Sequence, residues 1–132
     1  MKAISSNITR GLGLKSWCVC ADNSGAKVVE IISVAGFKGK KRMNPSAGIA
    51  CVVNVVVKKG KPEIRHKVER AVIVRVRKEY RRPNGLRVKF EDNAVVLVDE
   101  KGVPKASEIK GVVAKEVGER FPKIAGIAAA VI

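Results

Sequence analysis

The chain has 132 residues, 46% of them hydrophobic, and its 27 Lys and Arg against 12 Asp and Glu give a formal net charge of +15. That apolar share excludes a disordered basic tail, and the length suits one domain, residues 1–132, burying roughly two-thirds of its unfolded surface. No apolar run of about 18 residues, basic amphipathic helix or signal-peptide centre is visible, so a membrane role and secretion are set aside for the cytoplasm. Three cysteines without framework spacing suit the same reducing compartment. The charge is uneven: residues 1–90 hold 21 Lys/Arg against 5 Asp/Glu, and residues 91–132 hold 6 against 7. A cationic face joined to a near-neutral module is expected. Nucleic acid is its natural partner, because each neutralised phosphate releases condensed counterions.

Residues 1–15 read as a leading arm with a short strand near residues 4–9, either lying along RNA or solvated. Residues 17–21 and 26–34 read as strands. Asp22-Asn23-Ser24-Gly25 between them is a strong turn signal, so the two form a hairpin. Residues 36–45 are a loop by composition, carrying Lys38, Lys40, Lys41 and Arg42. A phosphate-cradling P-loop needs GxxxxGK, then Ser or Thr opening a helix. The glycine spacing here is wrong and no hydroxyl follows the lysine, so a basic loop contacting RNA backbone is the reading. Residues 49–57, almost wholly apolar, predict a strand buried on both faces or closed into a barrel, in which Asn54 must find a partner. Lys58, Lys59 and Lys61 make a cationic turn, which Arg65, His66 and Lys67 extend.

Residues 71–97 carry the clearest pattern. An apolar run, Ala71 to Val74, passes into Arg75-Val76-Arg77, then a cationic tip with Lys78, Tyr80, Arg81 and Arg82. Pro83-Asn84-Gly85 supplies turn chemistry, and the chain returns through Leu86-Arg87-Val88-Lys89-Phe90. Apolar/cationic alternation on both arms predicts a β-hairpin with a cationic tip and outer face. Residues 94–98 read as the last core strand. Ser107 is placed as cap of a brief helical turn over residues 108–110. Val113, Val117 and Phe121 at helical spacing predict a helix over residues 112–120, kept short by Gly118 and Pro122. Residues 124–132 must pack on the barrel or a partner. Short strands joined by Gly, Pro, Asn and Asp turns, with a helical segment over residues 104–132, describe a mainly β fold, a small β-barrel with a short C-terminal helical segment.

Catalysis finds no support. His66, the one histidine, lies among cations, and the carboxylates are scattered. Cys18 and Cys20 share a strand face, but only Cys51 and His66 could complete a zinc site, so buried structural thiols are expected and neither metal nor cofactor. Of the aromatics, Trp17, Phe90 and Phe121 fall in apolar patterns and are assigned to the core; Tyr80 and Phe37, in basic loops, could stack on bases. DNA reading would need a basic helix, and the only helix candidate sits in the neutral third. Folded RNA held through its phosphates fits best.

Ala71-Val72-Ile73-Val74, Asn84-Gly85, Phe90, Asn93 and Val96-Leu97, at intervals of nine, four, two and two residues, resemble the signature of the universal large-subunit ribosomal protein L-fourteen family. Ala21-Asp22-Asn23-Ser24-Gly25-Ala26-Lys27 is similar to its N-terminal motif, and Gly111-Val112-Val113-Ala114-Lys115-Glu116-Val117 to its C-terminal helix entry. The leading arm resembles the archaeal/eukaryotic branch. The resemblance implies a five-stranded barrel, a structural role on large-subunit rRNA and a share in an intersubunit bridge to small-subunit rRNA. The implied neighbours are ribosomal proteins L-three and L-twenty-four-e and the anti-association initiation factor six. Carried over by motif, rRNA contacts fall on Lys38, Lys40, Lys41, Arg42, Lys58, Lys59, Lys61, Arg65, His66, Lys67, Arg75, Arg77, Lys78, Tyr80, Arg81 and Arg82. Protein docking falls on Ser107, Glu108, Lys110 and Lys123. Glu108 departs from the basic residue through which a silencing factor binds in bacterial relatives.

Overall fold

A computed structural model describes all residues, 1–132. The elements in chain order are β1 (Leu12–Gly13), β2 (Trp17–Cys20), β3 (Ala26–Val34), β4 (Ser46–Ala47), β5 (Val52–Gly60), β6 (Val68–Arg75), β7 (Tyr80–Arg81), β8 (Arg87–Val88), β9 (Ala94–Val98), β10 (Ile109–Val113), α1 (Lys115–Arg120), α2 (Pro122–Ile127) and β11 (Ala128–Val131). Five strands close into a barrel in the order β2-β3-β5-β6-β9. β2 and β3 form the expected hairpin, Trp17 opposite Glu30, and the barrel shuts where β2 runs parallel to β9, Val19 opposite Ala94. Asp22 reinforces that seam. Its buried carboxylate accepts hydrogen bonds from Leu97 N (2.9 Å) in β9, from the Ser24 amide and hydroxyl, and from the Cys20 thiol.

Alternation sets which strands face water. β5 runs buried and half-buried by turns, with Val53, Val55 and Val57 inside. Of the two readings of residues 49–57, closure into a barrel is the one β5 takes; burial on both faces belongs to Ala71–Arg75 of β6 and all of β9, because the C-terminal segment covers their outer side. Residues 49–51 form the turn into β5. Asn54 finds its partner in Ser33, donating from Nδ2 to Oγ at 2.8 Å.

Four expectations are corrected. The partner of β6 is β9, with Ala71 opposite Leu97, rather than residues 86–90. Residues 80–88 fold back as a separate two-stranded ribbon inside that long hairpin, Tyr80 opposite Val88 and Arg81 opposite Arg87. Its turn uses Gly85 at φ 87 and the Asn84 carboxamide, which accepts from Leu86 N. The helical turn capped by Ser107 is absent. Residues 109–113 extend as β10, held by Lys110 N donating to the Ala21 carbonyl and by parallel pairing with β11. Val113 therefore ends a strand; the chain turns helical only after Ala114, and Pro122 opens α2 at a position that needs no amide donor. Over residues 4–9 the leading arm makes a single bridge, Asn7 to Arg81, instead of a strand; its paired segment is β1, which lies antiparallel to β4 with Leu12 opposite Ala47. It is nonetheless tied down: Ile4 and Ile8 pack on the core, and Arg120 donates to the Lys2 carbonyl.

Candidate nucleic-acid interface

Three exposed segments carry most of the expected RNA contacts. In the loop after β3, Lys38, Lys40, Lys41 and Arg42 are all exposed and none joins an ion pair. Around the end of β5, Lys59, Lys61, Arg65, His66 and Lys67 are exposed, while Lys58 reaches back to Glu30 at 3.6 Å. His66 sits at φ 64, its amide donating to Val57 O at 2.8 Å, so the tight turn after β5 is pinned to the barrel. On the ribbon and the residues flanking it, Arg77, Lys78, Arg81, Arg87 and Lys89 are exposed. Arg77 Nε donates to Glu91 O, and Lys78 pairs with Glu79 at 3.1 Å. Arg81 and Arg87 stand directly opposite each other across the two strands, and neither has an ion-pair partner. Like charges at a cross-strand position repel. Arg87 and Lys89 were not among the expected contacts, although their alternation with Leu86 and Val88 was the signal that would have found them.

Two expected contacts are corrected because they are buried. Arg75 is 9% exposed. Its guanidinium forks onto Asp92 (2.8 and 3.2 Å) and donates to the carbonyls of Lys110 (3.0 Å) and Val112 (2.9 Å). It pins β10 to the barrel, with four of its five N–H donors spent inside the protein. Gly111, at φ 80, permits this approach; a Cβ there would sit 2.5 Å from Arg75 Nη1. Tyr80 is 1% exposed and stacks on no base. Its hydroxyl donates to Glu116 Oε2 at 2.8 Å, inside a cluster the sequence reading missed.

Glu116 is wholly buried and gathers the leading arm and the ribbon directly, and the C-terminal end through Arg82. It accepts from Ser6 Oγ of the arm (2.8 Å), from Tyr80 and from Arg82 Nε (2.9 Å) of the ribbon. Arg82 Nη2 in turn donates to Ile132 O at 2.6 Å. Burial pushes the Glu116 carboxyl pKa up. The hydrogen bonds from Arg82, Tyr80, its own backbone and Ser6 outweigh this and hold it below the usual carboxylate value. Burial first, then Glu116, raises the Tyr80 pKa. Arg82, with 14% of its side chain exposed, is thus committed to the protein while Arg81 beside it is free. The one local signal was a carboxylate, Glu116, next to Lys115 and between the apolar residues Ala114 and Val117.

Ser107, Glu108, Lys110 and Lys123 are all exposed. Asn23 ties the first pair to the turn before β3, donating to Ser107 Oγ at 3.1 Å and accepting from Glu108 N at 3.4 Å. Lys110 lies on β10 and Lys123 on α2. Cys18 and Cys20 point into the barrel, and burial pushes their thiols up to about 11 and about 12. Phe90 and Phe121 pack at the core's edge, whereas Trp17, assigned to the core, stands 54% exposed.

Residues 11–132 match the family model for ribosomal protein L14p/L23e. The chain belongs to that family. It is 52% identical to the large ribosomal subunit protein uL14 of Methanocorpusculum labreanum over 132 residues, all of both chains. It is equally similar to the uL14 of Methanoregula boonei, again end to end, and 48% identical to that of Halobacterium salinarum. L14p/L23e proteins are structural proteins of the ribosome, not enzymes. In this family member the expected five-stranded barrel is the scaffold, and the exposed cations are displayed on the loop after β3, the turn after β5 and the ribbon.

Proposed function

We propose that this L14p/L23e chain is a structural constituent of the large ribosomal subunit that binds large-subunit rRNA through its three cationic segments. The observation that carries the reading is the ribbon. Arg81 and Arg87 are held face to face without a counter-charge, on a strand pair anchored through Tyr80 and Arg82. Such an arrangement is unfavourable alone and favourable against a polyanion. The rigid barrel neutralises phosphates on RNA segments that would otherwise repel each other. The contacts assigned are Lys38, Lys40, Lys41, Arg42, Lys58, Lys59, Lys61, Arg65, His66, Lys67, Arg77, Lys78 and Arg81, with Arg87 and Lys89 added. Arg75, Tyr80 and Arg82 instead hold the display in place. The full-length similarity to archaeal large-subunit proteins supports this reading.

The same reading assigns the protein to the cytoplasmic ribosome and gives it the family-implied share in an intersubunit bridge with small-subunit rRNA. Ser107, Glu108, Lys110 and Lys123 serve as docking surface for neighbouring proteins, with L-three, L-twenty-four-e and initiation factor six as the family-implied partners. Co-sedimentation tests it: tagged protein runs with large subunits in a sucrose gradient. A pool confined to the top of the gradient, absent from subunits, overturns it.

A further inference from the structure

The exposure of Trp17 has a definite geometry behind it. Cys18 and Cys20 take the inward positions of β2, so alternation places Trp17 and Val19 on the outer face. The indole is not loose there. Its Nε1 donates to Glu30 Oε2 at 2.8 Å, and the same oxygen lies 3.6 Å from Lys58 Nζ. The ring's orientation is therefore fixed and its one donor is used, leaving the π-face as the free surface. Of the five aromatic residues it alone stands clear of the protein, since Tyr80 is buried and Phe37, Phe90 and Phe121 are half-buried.

The surroundings are cationic. Lys58 shares the Glu30 carboxylate with the indole, and Lys59 lies opposite Val28, the cross-strand neighbour of Val19. Glu30 is the only carboxylate on this face of β2 and β3, and it is already shared by Trp17 and Lys58; Asp22 is buried. We propose that Trp17 is a stacking platform for one unpaired nucleobase, with Lys58 and Lys59 placed for the flanking phosphates. An apolar peptide on the same spot would have to desolvate the Lys58–Glu30 pair, whereas RNA sets its phosphates against the lysines. This rests on the rRNA-binding reading and extends it from backbone neutralisation to a single-stranded or bulged site. It continues the cationic block that runs from Lys58 to Lys67.

Trp17 is the only tryptophan, so intrinsic fluorescence reports on this site alone. The intact protein is titrated with a fluorescein-labelled single-stranded RNA 12-mer and with the fully paired duplex of the same length. Labelled-RNA anisotropy is read beside tryptophan emission from unlabelled RNA. Single strands quench the emission and duplex leaves it nearly unchanged. Trp17→Ala weakens single-strand binding about 5- to 150-fold, the range one stacked base is worth, and Trp17→Phe recovers part of it. Duplex binding stays the same in both variants, which also shows that they fold. Full anisotropy binding without quenching, and with Trp17→Ala unchanged, overturns the stacking site and leaves the patch to a protein partner while rRNA binding stands. No RNA binding at low salt overturns both readings.

Discussion

Removing the Glu116 carboxylate should damage the molecule more than removing any single surface cation. In Glu116→Ala, Arg82 loses its anion with only 14% of its side chain exposed, and the Tyr80 and Ser6 hydroxyls lose their acceptor. Breaking a buried pair from one side costs about 3–5 kcal/mol. Arg82 keeps its bonds to Ile132 O and can turn toward water, which places the loss near ~3 kcal/mol. Urea unfolding reads this directly: with a slope of about 2 kcal/mol per molar for a chain of this size, the midpoint falls by roughly 1.5 M. Glu116→Gln keeps the volume and one acceptor but turns an amide donor toward other donors, for a loss of about 1.5–3 kcal/mol. Arg82→Met in the Glu116→Ala background should restore part of the stability, because it removes the unpaired cation. The carboxylate also leaves a pH signature. Its folded pKa lies below the unfolded value, so its contribution is complete above about pH 4.3 and is lost as pH falls toward the folded pKa. Parent stability should therefore fall more steeply than that of Glu116→Gln in that window. An Ala variant within about 1 kcal/mol of the parent, or parallel pH curves, would refute the account.

The two adjacent arginines of the ribbon should separate cleanly. Arg81→Ala lowers the salt slope of rRNA binding by about 0.9 and changes stability by less than about 0.5 kcal/mol. Arg82→Ala strands Glu116 and destabilises by about 3–5 kcal/mol; equal stability of the two variants contradicts the assignment. Gly111→Ala forces a Cβ against Arg75 at a positive φ and should cost roughly 2–4 kcal/mol in thermal unfolding, so a parent-like midpoint would show that β10 is not pinned this way. In native protein at pH 8 a thiol reagent should label Cys51 well before Cys18 and Cys20, whose thiols are buried and pushed up to about 11 and about 12. Uniform labelling of all three argues against the closed barrel.

What could be read from the sequence was whatever is local. The Asp22–Gly25 turn, the β2–β3 hairpin and the cationic loops follow from residues a few positions apart, and all are present. Trp17 was misplaced because apolar neighbours argue for burial only until alternation is counted from Cys18 and Cys20. Residues 107–113 were misread because their strand depends on distant partners, the Ala21 carbonyl and the parallel strand β11, which no short window contains. Tyr80 and Arg82 looked like RNA contacts because composition shows a basic loop but not that a carboxylate 34 residues after Arg82 folds beneath it.

The misreadings and the proposed function meet in the ribbon. β7 and β8 pair over only two positions, and one of them sets Arg81 against Arg87. A two-stranded ribbon is marginal by itself, and this repulsion works against it. It can keep its shape only because other segments hold it: Asn7 N bonded to Arg81 O at 2.9 Å, and Tyr80 and Arg82 fixed on Glu116. The leading arm and the near-neutral C-terminal third, which composition had set apart from the cationic face, are thus what hold the ribbon in position. Charge display and support reside in different parts of the chain, so, on the proposed function, a substitution that touches none of the displayed cations should still weaken rRNA binding.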